Sequence, residues 1–260
     1  MYCKCIVIRV YFFKDKISKG FCPFFYKYYL PNNAILVVAG DVTLPQVKKL
    51  AEKWFGGIEP AEIAPRNLPQ EPPQTSRRFK EKTADVPADA LYMAFPMPAR
   101  NTRAFYVCDL LTDILSSGSS ARLFRQLVKE QRVFAEIEAY TTTTTDAGLI
   151  IIEGKPVTGI SLAQAEEAVW RELDALLAQG ISETELQKIK NKAESILVFQ
   201  EVGILNKAIN LAHFELLGNA NQINEEVNIY QSITAAEIIA EATQRFQKQS
   251  VSVLYYKAAQ

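Results

Sequence analysis

Few residues in this sequence have the chemistry of a metal ligand or an activated nucleophile. The chain has one histidine, His213, and four cysteines, Cys3, Cys5, Cys22 and Cys108. Zinc sites in proteins are built from several histidines or from Cys/His clusters with spacings such as C-x-x-C. Cys3 and Cys5 are spaced C-x-C, and no second histidine accompanies His213. The residues therefore predict free thiols, and no catalytic, cofactor-binding or metal-ligating residue in this chain.

Four further segments have both a structural and a functional interpretation. Ser116–Ser120 is a plain turn between helices or an anion-binding loop, and Thr141–Thr145 is an exposed hairpin tip or a peptide-binding edge. Glu136 and Glu138 have the spacing of paired carboxylates on a strand, but a solvated strand face needs no such role. Tyr255-Tyr256 fits packing at the core and its rim. In each case the pattern favours the structural interpretation.

The composition excludes several classes of protein. Lys+Arg and Asp+Glu are equal at 29 each, and nucleic-acid-binding proteins usually have a basic excess, so no nucleic-acid partner is expected. No apolar run is long enough for a membrane span. Lys4 and Arg9 interrupt the apolar N-terminus, which lacks a clear signal peptide, so the default compartment is cytoplasmic.

Hydrophobic periodicity predicts alternating strands and helices. Strands are predicted at residues 6–13, Ala34–Gly40, Arg77–Thr83, Leu91–Phe95, Val133–Tyr140, Leu149–Ile152 and Ser250–Tyr256. Helices are predicted from Thr43 to Phe55, Tyr106 to Leu115, Ala121 to Gln131, Ser161 to Ala178, Ser182 to Gln200, Ile204 to Leu217 and Thr234 to Phe246. In the strand Val133–Tyr140, Val133, Ala135, Ile137 and Ala139 are expected to point inward. This order predicts an α+β fold, a mostly antiparallel sheet with helices packed on one face.

The chain divides at a proline-rich stretch. Residues 58–76 hold five of the twelve prolines and few apolar residues, which is typical of an extended linker. Residues 1–22 differ from the rest of the chain, because they hold three of the four cysteines and no alanine. The sequence therefore predicts an atypical N-terminal segment, a short first domain, a linker and a larger second domain.

Four segments together resemble the M16 (pitrilysin/insulinase-type) zinc metallopeptidase family, in its small bacterial two-domain form. They are F-Y-K-Y-Y-L-P-N-N-A at Phe25–Ala34, K-W-F-G at Lys53–Gly56, S-S-G-S-S-A-R-L-F-R-Q-L at Ser116–Leu127, and D-A-G-L at Asp146–Leu149 followed by long helices. In order and spacing they cover about residues 24–257. The resemblance implies that residues 23–57 are the last strand and helix of the family's N-terminal domain. It implies that residues 77–260 are the C-terminal, metal-free domain.

The resemblance also implies which functional parts are missing. The family's zinc ligands lie in an H-x-x-E-H segment, and this sequence contains none. An Arg and a Tyr that bind substrate in some members correspond here to Val128 and Ala135. The chain is therefore expected to be the C-terminal, non-catalytic portion of a zinc-dependent metalloendopeptidase, and to be inactive alone. Peptide substrates would follow only from completion by an H-x-x-E-H-bearing domain or subunit.

Two alternatives remain open: a stand-alone non-catalytic M16 subunit that pairs with a zinc-bearing partner, or an α+β protein-interaction domain. In each case the sequence leads us to expect self-association or an M16 partner. Residues 1–22 are interpreted as a non-homologous start on a truncated reading frame.

Overall fold

The protein consists of two compact units, Met1–Gln70 and Glu71–Gln260, called unit 1 and unit 2 below. A computed structural model describes residues 21–63, 68–100 and 102–259. Cys3, Cys5 and the strand predicted at residues 6–13 lie outside these ranges. The division between the units falls inside the proline-rich stretch 58–76. No helix among the described residues is both long and apolar enough to cross a membrane.

The described residues of unit 1 form two helices, α1 (Phe21–Tyr28) and α2 (Leu44–Phe55), with a 3-10 turn at Pro31–Asn33 between them. Helix α2 begins where the sequence predicts, because the backbone N–H of Thr43 donates to Gln46 Oε1 at 2.9 Å. It ends at Gly56. Helix α1 was not predicted.

The strand predicted at Ala34–Gly40 is wrong, since this segment belongs to no strand in the structure. A strand is stable when neighbouring strands satisfy its backbone N–H and C=O groups and cover its side chains. None of the described residues forms a ladder with this segment, and Ile35, Leu36 and Val38 are 42%, 59% and 47% exposed. The local hydrophobicity of Ala34–Gly40 therefore indicates an apolar segment, but it does not predict whether a neighbouring strand pairs with that segment.

Unit 2 is built on one five-stranded sheet. Its strands are β1 (Arg78–Ala84), β2 (Ala90–Met97), β3 (Phe134–Thr141), β4 (Gly148–Pro156) and β5 (Ser252–Ala258). Their order is β1-β5-β2-β4-β3, with β1 and β5 parallel and every other pair antiparallel. The predicted mostly antiparallel sheet is confirmed, and β1 lies at an edge as its charged sequence indicates.

The helices of unit 2 are α3 (Arg103–Ser116), α4 (Leu162–Gln179), α5 (Glu183–Gln200), α6 (Ile204–Leu216), α7 (Glu226–Ser232) and α8 (Ala235–Arg245). A π-helical segment, Phe124–Glu130, follows α3. Helices α3, α4 and α8 pack against the sheet. The buried residues Leu91, Met93, Phe95 and Met97 of β2 all point toward this helix layer, which places the core on one side of the sheet.

Two strands differ in detail from their predicted form. Strand β2 continues through Pro96 to Met97, although it was expected to end at Phe95. Proline is tolerated there because β5 pairs with β2 only as far as Ala94. In β3 the expected inward position of Ala135 is wrong, because a bulge between Phe134 and Glu136 leaves Ala135 exposed and buries Phe134 instead.

Candidate functional site

A buried carboxylate ties the outer strand of the sheet to the helix layer. Glu166 of α4 is 8% exposed and accepts hydrogen bonds from Arg77 Nη2 at 2.9 and 3.0 Å, Trp170 Nε1 at 3.2 Å and Tyr255 Oη at 2.7 Å. Burial and the hydrogen bond to Glu166 raise the pKa of Tyr255 to about 12. These four residues, the Glu166 cluster, join the start of β1, β5 and α4. All of the contacts are internal, so the cluster stabilises the fold.

A second acidic cluster lies between α3, α7 and β3. Tyr230 Oη donates to Asp109 Oδ2 at 2.7 Å, and Thr141 Oγ1 donates to Asp109 Oδ1 at 3.3 Å. The rings of Tyr106 and Tyr230 meet edge to face with centroids 5.2 Å apart, and Glu226 at the start of α7 is 6% exposed. Burial raises the pKa of Asp109 and the pKa of Glu226 above their ordinary values. Each group therefore stabilises the fold below its unfolded-state pKa and loses that contribution as pH rises through its raised folded-state pKa.

The Ser116–Ser120 loop is held by neighbours on two sides. The hydroxyl of its first serine donates to the carbonyl of Ala139 on β3 at 2.8 Å. Lys192 and Lys188 of α5 donate to the hydroxyls of its second and fifth residues. These internal partners favour the turn interpretation over the anion-binding one.

A polar cleft of about 530 Å³ lies beside this loop and is lined in part by Arg122, Glu172, Glu185 and Lys188. Arg122 forms a bidentate pair with Glu185, at 2.9 Å from Nε and 2.7 Å from Nη2, and also donates to the carbonyl of Gly180 at 2.7 Å. The two paired side chains are 19% and 25% exposed. Arg122 and Glu185 neutralise each other at the centre of the cleft. Their bidentate pair holds the segment before Phe124–Glu130 against α5, which is a structural role.

The remaining sequence candidates lie on β3 and in the β3–β4 hairpin. Glu136 pairs with Lys155 at 2.5 Å, and both side chains are more than half exposed. Thr141–Thr145 lies at the end of the β3–β4 hairpin, where the N–H of Leu149 donates to Thr142 Oγ1 at 2.8 Å. Glu138 is also exposed, and it lies on the same face of β3 as Glu136.

His213 lies on α6, and its surroundings do not resemble a metal site. Its ring meets that of Phe214 with centroids 6.1 Å apart, and burial together with the charge of Arg100 lowers the pKa of His213. Within the described part of the chain, no three His, Cys, Asp or Glu side chains are grouped so that they could hold a metal ion. Cys108 is a free, buried thiol whose pKa burial raises to about 12. With one histidine in the sequence, the donor set does not fit an H-x-x-E-H zinc centre.

Comparison with known sequences identifies the family. A profile described as "Peptidase M16 inactive domain" matches residues 21–193, which is more than half of the 260 residues. The chain belongs to the peptidase M16 family. The resemblance of the four segments is thereby confirmed, and the region of the M16 protein represented here is the inactive C-terminal domain of this zinc protease family.

Two curated relatives are named as bacterial zinc proteases. YmxG of Bacillus subtilis, an uncharacterised zinc protease, is 24% identical over 225 residues, which is 86% of this chain and 54% of that protein. The zinc protease PqqE of Helicobacter pylori is 27% identical over 174 residues, which is 63% of this chain and 37% of that protein. The M16 chain thus spans about half or less of the length of these two relatives.

Solved structures show the same fold. A protease from Helicobacter pylori has a TM-score of 0.85 at 20% identity, over 94% of this chain and 60% of that one. A peptidase M16 inactive domain from Pseudomonas fluorescens has a TM-score of 0.72 at 14% identity, over 85% of this chain and 52% of that one. The predicted M16 peptidase-like α+β fold is therefore confirmed.

Sequence reasoning did not single out the two buried acidic clusters, although each leaves a signal. Glu166 occupies the apolar face of α4, one position after Ala165 and three before Val169. Asp109 interrupts the apolar run between Cys108 and Leu110. A charged residue at a core position of a helical pattern indicates a buried partner, and both residues have one.

Proposed function

We propose that this chain is the non-catalytic C-terminal portion of an M16-type zinc metallopeptidase, and that peptides are hydrolysed only when a domain or subunit carrying H-x-x-E-H completes it. The zinc chemistry belongs to that domain or subunit, and this chain forms the second wall of the substrate chamber. The match to the family's inactive domain carries the proposal. The single histidine of the sequence supports it.

The exposed apolar side chains of unit 1 support the same proposal. Trp54 and Phe55 of α2 are 66% and 49% exposed, and Leu44 and Leu50 are 66% and 54% exposed. Contiguous exposed apolar side chains mark an interaction surface. We propose that this surface, together with the segment Ala34–Gly40, is covered by the zinc-bearing partner.

The experiment mixes the chain with an isolated N-terminal half of an M16 protein that carries H-x-x-E-H. A quenched fluorogenic peptide should be cleaved by the mixture but by neither component alone, and a zinc chelator should abolish the cleavage. The fluorescence of Trp54 should shift to shorter wavelength on mixing, because Trp54 passes from water into an apolar interface. Trp54→Ala should weaken the association.

A matched substitution in unit 2 provides the control. Phe199 on α5 is 75% exposed, and Phe199→Ala removes a similar aromatic surface from a residue that is not part of the proposed interface. The proposal is contradicted if Phe199→Ala and Trp54→Ala weaken association equally, or if the chain alone hydrolyses the peptide.

The second candidate is a stand-alone M16 subunit that pairs with an intact zinc-bearing protein. The two candidates differ in which partner binds. A portion of a larger peptidase should bind the isolated N-terminal half and not the intact relative, whereas a stand-alone subunit should bind the intact relative.

A further inference from the structure

Helix α6 carries an apolar stripe that the rest of unit 2 leaves exposed. Of its thirteen residues, only Phe214 is buried within the described structure. Leu205, Ile209 and Leu216 are 58%, 56% and 67% exposed, and Ala212 is partly exposed. These four residues are called the α6 seam below. Contiguous exposed apolar side chains mark an interaction surface.

The α6 seam has the spacing of a coiled-coil contact. Its residues are four, three and four positions apart, which is the heptad spacing that keeps one stripe of a helix against a partner helix. At 3.6 residues per turn the four side chains lie within about 60° of one another around the helix, and Phe214 lies on the opposite side. The helix therefore packs on unit 2 through Phe214 and presents the seam to a second helix.

The residues on either side of the seam carry little charge. One flank holds Asn206 and His213, and the other holds Ala208 and Glu215. Burial lowers the pKa of His213, so this side chain is uncharged at neutral pH. Charged flank positions are what normally directs a helix to a different helix of opposite charge. With Glu215 as their single charge, the flanks of α6 do not select against a second α6.

The sizes of the seam side chains are complementary to those of a second α6 that runs in the opposite direction. In an antiparallel pair centred between Ile209 and Ala212, each Ile209 lies opposite the Ala212 of the other copy. Each Leu205 then lies opposite the other copy's Leu216. A parallel pair would place Ala212 against Ala212 and leave a gap, whereas a large side chain against a small one fills the space.

We propose that two copies of this chain associate through α6, with their seams packed antiparallel about a two-fold axis that crosses the helix between Ile209 and Ala212. The contact is isologous, because both copies use the same residues. The two Glu215 side chains lie about 14 Å apart along the helix direction, so no like charges meet. This surface lies on unit 2, and the proposal does not rest on the zinc-bearing partner proposed above.

The α6 seam is short, which sets the strength of the dimer. Burial of one exposed seam side chain removes on the order of 100 Å² of apolar surface from water. The eight seam side chains of two copies therefore give roughly 800 Å², which is below the usual size of a stable interface and fits a weak, reversible dimer. Because the seam has no charged residue, the association should change little with salt concentration.

Disulfide cross-linking tests the arrangement directly. The full-length chain is used with Cys3, Cys5 and Cys22 replaced by serine, while Cys108 is retained because it is buried. Leu205→Cys and Leu216→Cys are oxidised separately and as an equimolar mixture. A disulfide requires Cα atoms within about 7 Å, and like positions of an antiparallel pair lie about 17 Å apart along the helix. The mixture should therefore give at least about tenfold more covalent dimer than either variant alone.

Sedimentation equilibrium provides the second measurement and its control. Ile209→Lys should weaken the dimer at least about tenfold, because it places a charge at the centre of the contact. Val198→Lys adds the same charge at a position of α5 that is 55% exposed and should leave the dimer unchanged. Far-UV circular dichroism verifies the fold of each variant. The proposal is overturned by a monomeric wild type, by equal effects of the two lysine variants, or by cross-linking of either cysteine variant alone that matches the mixture.

Discussion

Removal of the Glu166 carboxylate should destabilise unit 2 far more than the same change at the next residue. In Glu166→Ala, Trp170 Nε1, Tyr255 Oη and the Arg77 guanidinium all lose their acceptor. Trp170 is only 9% exposed, so its N–H remains without a partner, whereas the Arg77 side chain is 40% exposed and water replaces its bond. One buried donor and one partly buried donor give an expected loss of about 2–4 kcal/mol in the free energy of unfolding.

Urea unfolding followed by far-UV circular dichroism measures this loss without depending on the fluorescence of Trp170. The matched control is Glu167→Ala, which removes the same side chain from an exposed position of the same helix. Its expected effect is within about 0.5 kcal/mol of the wild type. Arg77→Ala should also destabilise, by about 1–3 kcal/mol, because the buried Glu166 carboxylate loses its cation and keeps only the hydrogen bonds from Trp170 and Tyr255. Equal effects of Glu166→Ala and Glu167→Ala would refute the assigned role of the cluster.

Three further predictions concern pH, packing and the linker. As pH rises from about 4, the urea midpoint of the wild type should fall relative to that of Asp109→Asn, because the wild-type carboxyl must ionise while buried. Urea midpoints of the two proteins that change in parallel with pH would contradict this prediction. Gly154→Ala should lower the free energy of unfolding by about 1–3 kcal/mol, because a Cβ would lie 2.6 Å from Phe134 Cδ1. The double variant Gly154→Ala/Phe134→Leu should recover part of this loss. An unchanged urea midpoint for Gly154→Ala alone would show that the site adapts freely. Limited proteolysis should cut within residues 58–76 and leave a resistant fragment of unit 2; a resistant unit 1 with unit 2 degraded would be the opposite result.

The helices of unit 2 could be predicted because their signals are local. Ser161, Ser182 and Thr234 begin helices in the structure as the sequence predicts, and each side chain accepts a hydrogen bond from the backbone three residues later. Such caps depend only on nearby residues, so they can be read from sequence. Helix α7 was not predicted, because its seven residues are too few for a helical period and it is held by long-range bonds such as Tyr230 to Asp109.

The errors occur where pairing between distant segments decides the structure. Ala34–Gly40 has the composition of a buried strand, but a strand requires a neighbour, and the described residues supply none. Ala135 fits the alternating pattern of β3, yet the register with β4 inserts a bulge there and turns Ala135 outward. The Glu166 cluster joins residues 89 apart in sequence, Arg77 and Glu166, so its geometry could not be predicted from spacing.

The central claim is that the hydrolytic chemistry of this zinc peptidase family lies outside this chain. The most direct test measures zinc content and peptide hydrolysis of the pure full-length chain, with added zinc and with a chelator. The account predicts zinc well below one equivalent and no chelator-sensitive cleavage, because one histidine cannot supply an H-x-x-E-H site. One equivalent of zinc bound, together with cleavage that the chelator abolishes, would contradict it.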